Sequence, residues 1–463
     1  MFSKFFTTIA NCFKIPELRA RILFTLGVLA ICRLIALISV PGLDGAKLKQ
    51  FFDDLAQNSD GSGNLLGLYS MFTGGALEQC AVGALGIMPY ISATIIIQLL
   101  TAVVPALSKL AREEGGRPKL IQYGRYLTVI LCLGQGLAMA FAWENPGKVF
   151  QGFTGDLVMF ADSSLWWYRI QTVLILTTGT LLLMWLGEQI TERGIGNGVS
   201  LVITIGIIAR FPQAVQTAVQ NFIPQGDNDA EFNIFHAVAF ILLLVFVVAF
   251  VVAITQAQRK IPVQYAQQTR GRRVFQSGSS FMPLRVIYAG VMPIIFASAL
   301  LMFPQMILEY LGRTFSKPIL IQLGTQLSKG HWPHVILFAV MILFFSYFWV
   351  ATQFNEVQVA DDLKKANGYI PGVRPGKSTA EFLNNTMSRI TLAGSVFLIG
   401  VAIIPELLYM QWNVDYLVAS FFGGTSLLIA VGVMLDTMRQ TESHLLMRHY
   451  DGFLKKGRLK GRF

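Results

Sequence analysis

Apolar runs long enough to cross a lipid bilayer recur along this chain, and no soluble fold accommodates that pattern. A bilayer core about 30 Å thick needs about 20 mostly apolar residues per helix. Ten runs are expected to span, centred on Ile22–Val40, Ala81–Val104, Leu127–Ala142, Val173–Ile190, Val199–Val215, His236–Ile254, Val286–Leu311, Val335–Val350, Ile390–Tyr409 and Leu417–Met434. Only 14% of the 463 residues are charged, against about 25% in soluble domains. The alternation of a membrane β-barrel is absent. The expected class is therefore an all-α integral membrane protein.

The net charge of +11 reads first as topology. With both termini inside, the inner segments hold 28 Lys and Arg and the outer ones 8, the asymmetry of the positive-inside rule. Trp166, Trp167 and Tyr168 then fall at the outer end of the fourth span, where an aromatic belt is expected. Cys12, Cys32, Cys80 and Cys132 lack CxxC spacing and read as small buried thiols. No small-residue cleavage site follows the first apolar stretch. Phe2, Phe5, Phe6, Ile9 and Phe13 suggest instead that residues 1–20 include a short helix on the inner surface.

Ten spans divide into five and five, and an odd number per half makes the second half enter from the opposite side. The second span of each half carries the same signal: Gly86-Ile87-Met88-Pro89 and Gly290-Val291-Met292-Pro293, each with an isoleucine five residues after the glycine (Ile91, Ile295). Either an inverted repeat or two ordinary proline kinks accounts for this. In both cases proline is expected to bend the helix and glycine to admit a close neighbour.

Ion-coupled transport needs an ionisable group at mid-membrane, and the spans are nearly free of them. Glu188, Glu406 and Asp436 sit near span ends, and Arg33 lies about twelve residues into span one, to snorkel or pair. His331 and His334 are expected in an outer loop without a carboxylate nearby; His236, His444 and His449 are isolated. No catalytic constellation, metal site or cofactor site is indicated. "NLLGLYSMFTGGALEQC", residues 64–80, is apolar but too short to span and broken by Gly67, Gly74 and Gly75. It reads either as a re-entrant segment sheltered in protein or as a surface amphipathic turn.

"MFTGGALEQCAVGALGIMPYISATIIIQLL", "LMWLGEQITERGIGNGVSLVI", "GRRVF", "YAGVMPIIFAS", "NGYIPGVRPGKSTAEFL" and "FGGTSLLIAVGV", in this order, resemble the SecY family of protein-translocation channels. The resemblance implies ten transmembrane helices in two inverted five-helix halves around a central hourglass pore. It implies a plug at 64–75 comprising Leu65, Leu66, Gly67, Leu68, Tyr69, Ser70, Met71, Phe72, Thr73 and Gly74. It implies an aliphatic pore ring of Ile87, Ile91, Val199, Ile203, Ile295 and Ile429, with Val199 where many relatives have isoleucine. Spans two and seven would form a lateral gate hinged at Gly86, Pro89, Gly290 and Pro293. The family is not enzymatic and uses no cofactor.

The domain plan that follows is an inner segment 1–20, an N-terminal half 21–216, an outer connection 217–235, a C-terminal half 236–438 and a basic tail 439–463. Two long inner loops, 257–285 and 354–387, interrupt the second half. The first carries six cations and no acid; "PVQYA" and "RRVFQ" are expected to pair as a hairpin, and Ser378 with Glu381 to cap a short helix. The cations follow from the positive-inside rule alone or from docking onto acidic partners. By resemblance, Arg272, Arg273 and Arg374 contact the ribosome, including its RNA, and the SecA motor. The small membrane subunits SecE and SecG, a signal sequence or nascent polypeptide, and membrane lipid complete the implied partners, and a bacterial plasma (inner) membrane the location. An inverted-repeat secondary transporter is the alternative, and a membrane enzyme ranks third.

Overall fold

The computed structural model describes residues 15–57, 73–113, 115–149, 153, 155–159, 165–222, 234–265, 268–270, 273–275, 280–314, 317–328, 330–412, 416–421 and 424–456. Helices dominate, because inside lipid a helix satisfies its backbone N–H and C=O groups within itself. Among the described residues seven helices are long and apolar enough to cross a membrane: Pro118–Glu144, Leu165–Arg193, Gly198–Val219, Val238–Gln256, Trp332–Lys365, Lys377–Gln411 and Val418–Ser443. An eighth arises if Met88–Val103 and Pro105–Ala111, bent by 105°, count as one span. The expected count of ten is not reached by length and composition alone. Helix Pro16–Ile35, which carries three arginines, and helix Met292–Thr314 lie outside that set. The 105° bend has a local cause. Val104 precedes proline and is extended (φ −91°, ψ 114°), as residues before proline are. Pro105 then opens the next helix, where its missing N–H costs nothing.

The paired glycine–proline signal departs from expectation in the same way at both sites. Gly86 and Gly290 adopt φ of +59° and +61°, a left-handed conformation that glycine takes freely. Helices begin two residues later, at Met88 and Met292, so Pro89 and Pro293 each stand second in their helix. The proline starts the helix and does not bend it, because at that position no intrahelical bond is lost. Residues 82–87 and 286–291 are accordingly turns or bends, not the first turns of spans two and seven.

The chain divides into two compact units, Met1–Gln216 with Val433–Phe463, and Thr217–Gly432. In the first, helices Gly116–Glu144 and Leu165–Arg193 form an antiparallel pair clamped by two bidentate ion pairs. Arg125 donates to Glu188 at 2.7 and 3.0 Å, and Arg169 to Glu144 at 2.8 and 2.9 Å. The Arg169 guanidinium also lies 4.8 Å over the Phe141 ring. Trp166 and Trp167 are exposed, as a belt requires, but Tyr168 is fully buried and donates to the Ala140 carbonyl at 3.3 Å. It belongs to the core. The end of helix Gly424–Lys456 joins this unit because Gln440 accepts from the Gly196 amide at 2.9 Å.

In the second unit Phe296 packs edge-on against Phe345 and Trp349 at 5.7 and 5.1 Å. The loop 257–285 forms β1 (Gln258–Tyr265), β2 (Gln268–Arg270), β3 (Arg273–Phe275) and β4 (Ser280–Arg285). β1 pairs antiparallel with β4, Pro262 opposite Phe281, and β2 pairs with β3. Within "PVQYA", Pro262 and Val263 therefore pair with Phe281 and Ser280, and not with "RRVFQ", whose described residues Arg273–Phe275 pair with β2. Along β1 only Ile261 and Val263 are buried, the period-two pattern of a half-buried strand. The expected short helix at Ser378 is instead the start of Lys377–Trp412, with Ser378 inside it.

The two glycines make a paired prediction. Gly86→Ala meets left-handed strain, about 1–2 kcal/mol, and crowds Thr73, whose methyl would lie 3.1 Å from the new Cβ. Gly290→Ala meets the strain with no atom within 4 Å. Thermal unfolding in detergent should show both variants less stable and Gly86→Ala more so; equal or reversed losses would contradict these helix starts.

Candidate functional site

Each of three helices places an isoleucine at one register. Ile91, Ile295 and Ile429 stand five residues after Gly86, Gly290 and Gly424, all glycines of positive φ (+59°, +61° and +70°) at or just before a helix start. A left-handed glycine at a helix entrance thus fixes where the isoleucine falls. All three are buried, at 5%, 5% and 1% exposure. In the first unit Ile87 precedes helix Met88–Val103 and its carbonyl accepts from the Ile91 amide at 3.2 Å, so the two share one helix face. Val199 and Ile203 share a face of helix Gly198–Ala209, whose Asn197 cap accepts from the Ser200 amide at 3.3 Å. Gly198 packs against the Gly187 carbonyl so closely that no side chain fits there.

Of the plug residues, Thr73 and Gly74 are described; Leu65, Leu66, Gly67, Leu68, Tyr69, Ser70, Met71 and Phe72 lie outside the described residues. The chain from Thr73 to Ile87 is largely non-helical yet buried, with Ala76, Leu77, Cys80, Ala81 and Ala84 at 0% exposure. Such backbone survives only if its polar groups find partners. Cys80 accepts from the Val40 amide and Val82 donates to the Ile38 carbonyl, both at 2.8 Å. Ala81 donates to the Ala76 carbonyl at 2.9 Å. This is the sheltered course that a re-entrant segment requires; the surface-turn reading fails for the part described.

Charge inside the first unit was underestimated from sequence. Arg33 does not snorkel; its Nη2 donates to the Gly74 carbonyl at 3.1 Å. Gly74 (φ +65°) lies against the Arg33 guanidinium and the Gly206 backbone, leaving no room for a Cβ. Four residues on, Glu78 accepts from Arg210 in a buried ion pair, both side chains about a tenth exposed. Arg210 Nη1 also donates to Gln213 Oε1 at 2.7 Å. Arg33 and Thr73 border a cavity of about 30 Å³ that Ile87, Val202 and Gly206 also line. A polar cavity of that size has room for a water.

The second unit corrects the histidine reading. His334 lies within helix Trp332–Gln353, buried at 5% exposure, with its Nδ1 3.2 Å from the carboxylate of Glu406, itself 2% exposed. The partners are 72 residues apart, a separation that hides the pair from local reading. On the loop side, β5 (Gly368–Tyr369) joins β1 with Gln264 opposite Tyr369, and the Tyr369 hydroxyl donates to Gln264 at 3.0 Å. The two basic loops are thereby one platform. It exposes Arg259, Lys260, Arg285 and Arg374. Arg273 lies in β3, paired with Arg270, and Arg272 lies outside the described residues.

A family model described as SecY matches residues 81–438. The protein translocase subunit SecY of Chlamydia trachomatis serovar D is 45% identical over 463 residues, covering 98% of this chain and 99% of that one. That of Vibrio cholerae is 39% identical over 451 residues, covering 96% of each. Streptomyces coelicolor SecY is 42% identical, covering 97% of this chain and all of its own. Two solved structures share the fold. A SecY channel whose plug domain is described as stabilising the closed state aligns with TM-score 0.60 and 19% identity, over 95% of this chain and 94% of its own. Sec61 in the canine ribosome–channel complex aligns with TM-score 0.56 and 17% identity over the same shares.

His334→Leu should leave a buried carboxylate without its partner and lower stability by about 1–3 kcal/mol. His334→Leu with Glu406→Leu should recover most of that loss in a detergent unfolding curve. Additive losses in the double variant would show that the two side chains are not coupled.

Proposed function

The chain belongs to the SecY family, and from that membership together with the geometry above we propose how this multi-pass membrane protein works. It is the pore-forming subunit of a protein-translocation channel, in a family without enzymatic activity. In the proposed mechanism Ile87, Ile91, Val199, Ile203, Ile295 and Ile429 form a ring at the narrowest point. A pore for unfolded chains must pass any side chain, so specific polar contacts at its waist would hinder it. Aliphatic side chains yield around a passing strand and exclude water when the pore is empty, which holds back ions by dewetting. The segment 64–75 is the plug, a second barrier beside the ring.

Helices Met88–Val103 and Met292–Thr314 are proposed to flank a lateral gate. A helix that begins at a glycine–proline entrance swings at that entrance without loss of a helical hydrogen bond, so Gly86, Pro89, Gly290 and Pro293 are hinges at helix mouths. Lipid then selects: an apolar enough segment of the passing chain partitions sideways. The joined basic loops, with Arg272, Arg273 and Arg374, are proposed to dock the ribosome and its RNA or the SecA motor. SecE and SecG are the proposed small partners. A bacterial inner membrane with both termini in the cytoplasm is the proposed setting, which the positive-inside count supports. A secondary transporter fits less well, because the buried ionisable groups are already paired with one another or with backbone.

The observation that carries this reading is 39–45% identity over nearly the whole chain to translocase subunits. Reconstitution into vesicles with a motor ATPase tests it. The wild-type protein should move an unfolded secretory polypeptide to a protease-protected lumen and stay ion-tight at rest. Ile91→Asn with Ile295→Asn should leak small ions, because polar side chains hold water at the waist. A tight double variant would remove those residues from the ring, and no polypeptide transport by the wild type would overturn the function.

A further inference from the structure

Glu78 is out of place by every local criterion. It stands in "GGALEQCAVGALG", a segment whose other buried members are small or apolar, and neither a turn nor an apolar core calls for a carboxylate there. An ionisable group inside a membrane protein is costly and marks a role. A buried ion pair adds little stability over well-packed apolar residues, but removing one partner from it is severely unfavourable.

We propose that Glu78 and Arg210, supported by Arg33 and Gln213, form a latch that holds the root of the plug against the first unit and keeps the resting channel sealed. The proposal rests on the reading of 64–75 as the plug. The described root, Thr73–Ala81, is gripped at two points. Arg33, from helix Pro16–Ile35, holds the Gly74 carbonyl at 3.1 Å. Arg210, which directly follows helix Gly198–Ala209, holds the Glu78 carboxylate. Gln213 steadies Arg210 from one turn further on, at 2.7 Å.

The grips hold different atoms. Arg33 holds a backbone carbonyl, which is present whatever the side chain, so its grip is independent of residue identity at position 74 apart from the need for no Cβ. Arg210 holds a side chain, so a substitution at Glu78 that removes the carboxylate, such as Glu78→Gln, removes the charge from that grip. Helices Pro16–Ile35 and Gly198–Ala209, one beside each grip, also supply lining to the cavity next to Thr73: Cys32 and Arg33 from the first, Val202, Ile205 and Gly206 from the second. Movement of the root at Thr73 and Gly74 would therefore break the Arg33 contact beside this cavity, and movement further along would break the Glu78–Arg210 pair. Water entering the cavity would compete for the Arg33 guanidinium.

Electrical recording from planar bilayers tests the latch on the full chain with its membrane partners. Glu78→Gln and Arg210→Gln should each raise resting ion conductance by about tenfold or more, the scale set by losing one charged partner of a buried pair. The exchange Glu78→Arg with Arg210→Glu should bring it back down, a recovery that loss of packing would not give. Gln213→Ala keeps the ion pair and removes its support; it serves if the single variants fail to insert, and it should leak measurably but less. Tight Glu78→Gln and Gln213→Ala channels, or an exchange that leaks as much as the singles, would overturn the latch. Polypeptide-dependent opening of the wild type is scored in the same bilayers. Its absence would instead count against the channel reading, so the two failures are distinguishable.

Discussion

The whole structure answers to one constraint: within a bilayer no water is available for an unpaired backbone N–H or C=O. Most of the chain meets it with helices. Where the chain leaves the helix in an apolar region, at residues 73–87 and 286–291, it meets the same demand with turns, strand-like contacts and side chains. The Val40–Cys80 and Val82–Ile38 hydrogen bonds and the Arg33 grip on Gly74 are local solutions to that problem. Val286, donating to the Ala257 carbonyl at 3.0 Å, is the corresponding one in the second unit. At 73–87 this irregular backbone is largely buried in protein, whereas 286–291 is mostly half-buried.

Charge is handled on the same terms. Arg33, Glu78, Arg210, His334 and Glu406 all lie at least partly inside protein, and each is matched to a carboxylate, a base or a carbonyl. At the helix pair Gly116–Glu144 and Leu165–Arg193 the matching is bidentate near both ends, a geometry particular to arginine and carboxylate. Ile87 lines the same cavity as Arg33 and Thr73, whereas Ile91, Ile295 and Ile429 are buried aliphatic side chains that, in the proposed mechanism, make a waist that wets poorly when empty. In that proposed mechanism, polar fixation and apolar sealing thus fall to different residues of the same short region, Thr73 to Ile91.

Much of this was legible in the sequence. The apolar runs announced a helical membrane protein, the ordered motifs announced the family, and the isoleucines five residues after glycine announced a shared register. What escaped has physical reasons. Glycine followed by proline three residues later is written identically whether it bends a helix or begins one, and the choice lies in the sign of φ at Gly86 and Gly290. The preference of proline for the first turn of a helix was the signal that favoured a start. Glu78 and Arg210 are 132 residues apart, and His334 and Glu406 72 apart, so no local pattern joins them. "PVQYA" divides between two partners, Pro262 and Val263 on β4 and Gln264 and Tyr265 on β5, because the alternation of Ile261 and Val263 suits a long β1–β4 ladder, while β2 and β3 satisfy each other.

The central claim is that these isoleucines meet the passing polypeptide. Photocrosslinking reads this directly, using a secretory chain arrested midway through the reconstituted channel and probes placed at positions 91, 203, 295 and 429. The account predicts adducts from all four and none from Leu242 or Val245, which are exposed on helix Ile234–Gln256. Adducts at Leu242 or Val245 with none at the four isoleucines would contradict it.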